Sequence, residues 1–196
     1  MSYERKDCAI TVLDRSFAPK SRREFSRCLI TETTIPACDG SSKEPAYITL
    51  TFAPELTREV SPSSAKAAAD LGKNQQKVWL PSNFRLDIDG LNCAHVNKID
   101  SFTIRQTAVT DEIGDARDYL KEPGKLEFPN LRITFAEADA QTWIDWHKGF
   151  VIDGNNDESF EKTGTLVFLS PDLKTQLAKI TFHNLGIYKL GPDKSE

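Results

Sequence analysis

Alternation of apolar and polar residues recurs along this chain in short segments, and it constrains the fold more than any other feature. Successive side chains of a strand point to opposite faces, so a half-buried strand reads apolar, polar, apolar. Tyr47-Ile48-Thr49-Leu50-Thr51-Phe52 reads this way, as do Phe84-Arg85-Leu86-Asp87-Ile88-Asp89 and Phe102-Thr103-Ile104-Arg105. Leu131-Arg132-Ile133-Thr134-Phe135 and Ile180-Thr181-Phe182-His183 repeat the pattern further on. Thr165-Leu166-Val167-Phe168-Leu169 is almost continuously apolar, which predicts a central strand covered on both faces. Ser170-Pro171-Asp172-Leu173-Lys174 follows as a turn, because proline pre-sets the first central angle and aspartate favours the next position; a returning strand is expected from Gln176. The two make a β-hairpin.

One segment reads as helix. Glu137 to His147 holds no glycine or proline, and its acidic first turn suits the positive end of a helix. Ala140, Trp143, Ile144 and His147 form one stripe, with Trp146 on its shoulder, and the stripe is expected to pack on a sheet. The fold class is therefore mainly β, a β-barrel or sandwich of antiparallel strands with one flanking α-helix. A chain of 196 residues holds one large domain or two small ones, and its composition, 39% hydrophobic and 28% charged, is that of a chain with a real core. Ser61 to Lys77 reads as a linker, with a short helix over Ser64 to Leu71 where alanine supplies helix propensity. The expected organisation is N-terminal strands over 1–60 that complete the barrel, a linker over 61–78, and a core over 79–196, with a boundary near residue 75.

The chemistry-bearing residues select no site. The net charge of -4 disfavours a nucleic-acid binder that depends on general basic character. A local basic cluster of Arg15, Lys20, Arg22, Arg23 and Arg27 is interrupted by Asp14 and Glu24 and lacks interleaved aromatics, so it reads as a solvated face. Cys8, Cys28, Cys38 and Cys93 contain no Cys-x-x-Cys pair and are expected to be reduced and mostly buried. His95, His147 and His183 lack the close helical spacing that lets two imidazoles share a metal. The acidic stretches Asp87-Ile88-Asp89-Gly90 and Asp153-Gly154-Asn155-Asn156-Asp157 fail as calcium loops, since their twelfth positions are Lys98 and Gly164 rather than glutamate. There is no phosphate-cradling glycine motif and no Gly-x-Ser-x-Gly elbow. Catalytic, cofactor-binding and metal-ligating residues are expected to be none, cofactors none, and the chain not an enzyme. No apolar run approaches the roughly 20 residues that span a bilayer, and the start lacks a secretory pattern, so a soluble protein made in the cytoplasm is expected.

An ordered set of landmarks from Trp79 to Asp193 resembles the phage tail-tube protein family, the tube proteins of contractile tails and related injection particles. Phe84 to Leu91 resembles the family's opening strand and turn, and Val96 to Phe102 the entry to its next strand. Pro123-Gly124-Lys125-Leu126-Glu127-Phe128-Pro129-Asn130-Leu131-Arg132-Ile133-Thr134 resembles the approach to the strand before the family's helix, and Trp143-Ile144-Asp145-Trp146 that helix's core. The hairpin from Gly164 to Asp172 and the phrase from Phe182 to Asp193 complete the set. The family continues beyond the equivalent of Gly191-Pro192-Asp193 into a serine-containing loop and a final strand; here Asp39 to Glu55 resembles that loop and strand, placed near the N-terminus. A permuted order follows, in which residues 25–60 pair with the C-terminal hairpin.

The resemblance implies a subunit that self-associates into rings, commonly hexamers, stacked as a hollow tube with sheath, baseplate or cargo proteins as partners. It implies cytoplasmic assembly and residence in a virion tail or injection particle. Thr107 to Lys125 is the candidate arm between subunits or rings, or else a long surface loop of one subunit. Two other readings stand beside the tube body: a β module that binds a small ligand or protein, and an accessory ring that starts or caps the tube.

Overall fold

A computed structural model describes residues 4–61, 79–111 and 119–192. The short helix expected over Ser64 to Leu71, and nearly all of the expected linker, lie outside these residues. Among the described residues the chain is mainly β with antiparallel sheets and one short α-helix, the class that the alternation predicts. Among the described residues the strands form three open sheets rather than a closed barrel. They fall into two compact units. The first comprises residues 4–35, 48–61, 103–111 and 119–129, the second 36–47, 79–102 and 130–192. The boundary expected near residue 75 lies outside the described residues; residues 103–111 and 119–129 group with the N-terminal strands, so the division is discontinuous along the chain.

The first unit is one six-stranded sheet: β1 (Lys6–Leu13), β2 (Pro19–Ile35), β4 (Thr49–Ala53), β5 (Leu56–Val60), β8 (Phe102–Asp111) and β9 (Leu120–Glu127). Its spine is β2, long enough to pair with β1 and β5 over one half and with β4 over the other. β8 also joins β2, and Thr34 and Thr103 meet through their hydroxyls at 2.8 Å. β8 and β9 pair from Arg105↔Glu127 to Asp111↔Leu120, so the segment 107–125, expected as an arm between subunits or a surface loop, is mainly a hairpin of two strands. Residues 112–118 of that segment lie outside the described ones. Pro123 and Gly124 disguised β9 in the sequence. An edge strand tolerates proline at an irregularity, and the register slips between Gln106 and Ala108, opposite that dipeptide. Gly124 is required there because a Cβ would collide with the Thr107 hydroxyl.

The second unit holds two three-stranded sheets. β11 (Lys162–Leu169) lies between β6 (Phe84–Ile88) and β12 (Gln176–Leu185). It is the central strand that its apolar run predicted: Leu166 is 0% exposed, and Val167 and Phe168 are buried beside it. Gly164 permits the close approach of both neighbours, since a Cβ there would meet Ile88 Cγ1 at 2.9 Å and Leu185 Cδ1 at 3.1 Å. The turn at Ser170–Thr175 forms as expected, with Ser170 N–H donating to Thr175 O at 2.9 Å and the Asp172 carboxylate accepting from Lys174 N–H at 3.0 Å. The second small sheet orders β10 (Ile133–Phe135), β7 (Val96–Ile99) and β3 (Cys38–Asp39).

Two expectations are corrected. Residues 25–60 do not pair with the C-terminal hairpin: β4 pairs with β2, β12 pairs with β11, and the other edge of β11 is taken by β6. The helix is α1 (Gln141–His147), entered by a 3₁₀ turn at Glu137–Asp139 and extended by a π-helical turn at Lys148–Ile152. Its inward line is Trp143, Trp146 and Phe150, while Ile144 is exposed. These three stand at i, i+3 and i+7, the spacing of one helix face. Phe135 stacks on Trp143 at 4.6 Å and Lys162 Nζ sits 5.6 Å from the Trp146 ring, so an aromatic ladder anchors the helix.

Candidate functional site

The first unit carries the most distinctive surface, and its geometry begins with a kink in β2. Arg27 adopts φ 55°, in the left-handed region, and the Asp7 carboxylate accepts its N–H at 2.7 Å. The β1–β2 register slips beside it, between Lys6 and Cys8, as a bulge requires. Next to the bulge lies Glu55, in the turn between β4 and β5, with its side chain only 4% exposed. Its Oε1 accepts from Lys121 N–H at 2.9 Å and from Arg5 Nε at 3.3 Å, and Arg27 Nε lies 2.7 Å from Oε2 as an ion pair. Arg5 also donates to Lys121 O at 2.7 Å, and Lys121 Nζ to Pro54 O at 2.8 Å. One carboxylate thereby ties the start of β1, the kink of β2, the β4–β5 turn and the start of β9. A buried charge persists only when surrounded in this way.

Pairing then decides which side chains share a face. Cys8, Ile10 and Val12 alternate along β1 opposite Phe25, Arg23 and Ser21, and Ile30 and Thr33 stand opposite Phe52 and Leu50. Phe25 and Phe52 meet edge to face at 5.9 Å, which joins these two sets into one side of the sheet. On that side Ile10 is 56% and Leu50 52% exposed, and Val12, Ile30 and Phe52 are exposed as well. The other side of β1, β2 and β5 is polar where Thr11, Arg22, Glu24 and Arg58 stand in register. At the hairpin tip the Asp14 carboxylate accepts from Ser16 N–H and Ala18 N–H, both at 2.8 Å, and Phe17 is held at φ 61° with 60% of its surface in water. A left-handed φ costs a non-glycine residue about 1–2 kcal/mol. An exposed phenylalanine at that cost is a notable feature of a hairpin.

The groups singled out by sequence are dispersed. In the basic cluster Arg22 pairs with Glu24 at 2.9 Å, Arg23 with Glu59 at 3.7 Å and Arg27 with Glu55, so each of these charges has an acidic neighbour. Asp87 is held by Arg85 at 2.9 Å. His95 Nδ1 lies 2.5 Å from Asp139 Oδ2, and Asn92 donates to the same carboxylate at 2.6 Å; with Trp143 Nε1 bonding Asn92 O at 2.9 Å, these contacts dock the helix entry on the 91–95 loop. Among the described residues, no group of three or more His, Cys, Asp or Glu side chains is arranged to hold a metal ion. Of the cysteines, expected to be mostly buried, Cys28 and Cys38 are buried, Cys93 is half-buried, and Cys8 is exposed. Burial pushes the Cys38 thiol up to about 12.

In the second unit an open groove of about 380 Å³ runs along β6, lined by Phe84, Leu86, Leu91, Cys93 and Val96 among others. No helix among the described residues is long and apolar enough to cross a membrane. Sequence reasoning missed Glu55 and the Phe17 tip. The Asp14-x-Ser16 spacing signalled the turn, but nothing local marks Glu55, whose partners Arg5 and Lys121 are 50 and 66 residues away. No family model, no curated protein and no solved structure matches the chain.

Proposed function

We propose that this chain is a structural subunit, not an enzyme, that self-associates into rings and stacks them as a hollow, phage-tail-like tube or its initiating or capping ring. Assembly takes place in the cytoplasm, and the product resides in a virion tail or injection particle. The observation that carries the reading is the apolar side of the six-stranded sheet, where Ile10, Val12, Ile30, Leu50 and Phe52 stand in water along adjoining strands. Exposed apolar side chains gathered on one side of a sheet, with the Arg23–Glu59 ion pair among them, suit an interaction surface. Open sheet edges are an aggregation hazard on a monomer and are satisfied by neighbours in a closed ring. The ordered likeness of residues 79–193 to tail-tube proteins supplies the kind of assembly, and the hairpins β1–β2 and β8–β9 supply arms for contacts between copies.

The test is mass photometry over increasing concentration, followed by negative-stain microscopy of the same sample. Rings or stacked tubes with cyclic symmetry are expected, and Leu50→Lys should lower the assembled fraction about tenfold, a shift of about 1.4 kcal/mol, with no loss of folded signal. A persistent monomer at every concentration would overturn self-assembly. It would turn attention to the groove along β6 as the seat of a binding module.

A further inference from the structure

Two thiols in the first unit form a close pair that the proposed assembly does not use. Cys8 Sγ and Cys28 Sγ lie 3.8 Å apart across the β1–β2 pair, in contact at the bulge where the register slips between Lys6 and Cys8. The two differ in access: Cys8 is exposed and Cys28 is buried. A disulfide needs the sulfurs at about 2.05 Å and Cβ atoms about 3.5–4.5 Å apart. Rotation of the exposed Cys8 side chain is the least costly way to close that gap, because it displaces water rather than core atoms. Neither Cys38 nor Cys93 has a thiol partner in contact among the described residues.

We propose that Cys8 and Cys28 are an oxidation site at which a hydroperoxide converts the two thiols into an intramolecular disulfide that staples β1 to the kink of β2. Cys8, the accessible sulfur, attacks the hydroperoxide as its thiolate; the O–O bond breaks, and Cys8 becomes a sulfenic acid. The Cys28 sulfur then attacks the Cys8 sulfur, gives up its proton, and the sulfenic oxygen departs as water. For hydrogen peroxide the balance is two thiols and one peroxide to one disulfide and two waters. Burial, followed by the hydrogen bond with Cys8, pushes the Cys28 thiol up to about 11, so Cys28 is the slower partner and resolves rather than initiates. The staple sits beside Glu55 and Arg27, and it fixes the same kink that those charges hold. Cys8 also belongs to the apolar side of the sheet, so the oxidised form presents a changed strip next to Ile10.

The experiment treats the full chain with one equivalent of hydrogen peroxide, counts free thiols and maps the linked peptides. The expected result is a fall from four free thiols to two, no change in size on non-reducing electrophoresis, and recovery on adding dithiothreitol. Cys28 and Cys38 share one tryptic peptide, so a glutamyl endopeptidase cut after Glu32 is needed to show that the link joins Cys8 to Cys28. In Cys28→Ser, peroxide should leave a dimedone-reactive sulfenic acid at Cys8 and no internal link. Four thiols surviving peroxide, a link from Cys8 to Cys38 or Cys93, or a dimer joined through Cys8 would each overturn the proposal, and the wild-type peptide map decides even where the variant folds poorly.

Discussion

The two units of this chain are built from the same antiparallel strands and held by different physics. In the second unit the central strand β11 is covered on both faces, and its buried Leu166, Val167 and Phe168 make an apolar core. In the first unit the six-stranded sheet leaves one side of apolar residues in water, and its interior node is a charged carboxylate, Glu55, gripped by Arg5, Arg27 and the backbone of Lys121. The contrast separates stability from availability. A sheet that hides its apolar side completes its own core, whereas the six-stranded sheet combines a small core around Leu29 and Ile35 with a polar knot and leaves the apolar residues of its other side in water.

The largest test of that contrast is a pair of truncations. Leu166→Ala should cost about 3 kcal/mol in urea unfolding, because it removes a fully enclosed side chain and leaves a cavity. Ile10→Ala, on the uncovered side of the other sheet, should change stability by no more than about 0.5 kcal/mol. Equal costs at the two positions would break the comparison.

Glu55 comes next. Glu55→Ala strips the partner from Lys121 N–H and leaves Arg5 and Arg27 side by side, and should cost about 2 kcal/mol, held below the full cost of breaking a buried pair because the arginines are partly in water. Glu55→Gln keeps an acceptor for the Lys121 N–H and should cost less. Hydrogen exchange gives the sharper readout: amides of β9 beside Lys121 should lose protection while those of β11 keep theirs. Uniform loss in both sheets would mean that the knot does not belong to one unit alone.

Phe17 probes the exposed tip. Phe17→Asn, which tolerates the left-handed region, should stabilise the isolated chain by about 0.5–1 kcal/mol in thermal unfolding. On the proposed function the same variant should assemble less well than the parent. A variant that is less stable would show that the aromatic ring is held by its own chain rather than kept for a partner.

The legibility of the two units in the sequence differs for the same reason. β6, β11 and β12 were readable because burial imposes a pattern, either alternation or a continuous apolar run such as Leu166 to Leu169. β1 went unread although Cys8, Ile10 and Val12 alternate along it, since Ala9 and Leu13 blur the pattern, and most of Lys6 to Leu13 is exposed; the first half of β2 is interrupted by Arg22, Arg23 and Arg27. The β4 alternation was legible as a strand, but alternation does not tell whether the apolar side is covered. Likewise the helix stripe gave its tryptophans and misplaced Ile144, because the buried line runs through Trp143 and Trp146, and Ile144 lies about 100° round the helix from Trp143. The Glu55 knot, assembled from distant residues, had no local signal at all.

The smallest effect concerns what the units share. Both use aspartates whose carboxylates hold a nearby serine: Asp14 with Ser16 in the first unit, and Asp39 with Ser41, Asp157 with Ser159 and Asp172 with Ser170 in the second. In each case the serine hydroxyl, supported by backbone N–H groups, lowers the carboxyl below its ordinary value of 3.8. A group with a depressed folded value contributes stability that is present above the unfolded value and lost as pH falls through the folded one. The melting temperature should therefore be flat in this respect above about pH 5 and decline once the pH drops below about 4, by a small amount because all these carboxylates are exposed. Asp14→Asn and Asp172→Asn should each remove a similar part of that acid slope. If Asp172→Asn flattened the slope and Asp14→Asn left it unchanged, the turn device would stabilise only the sheet with the closed core.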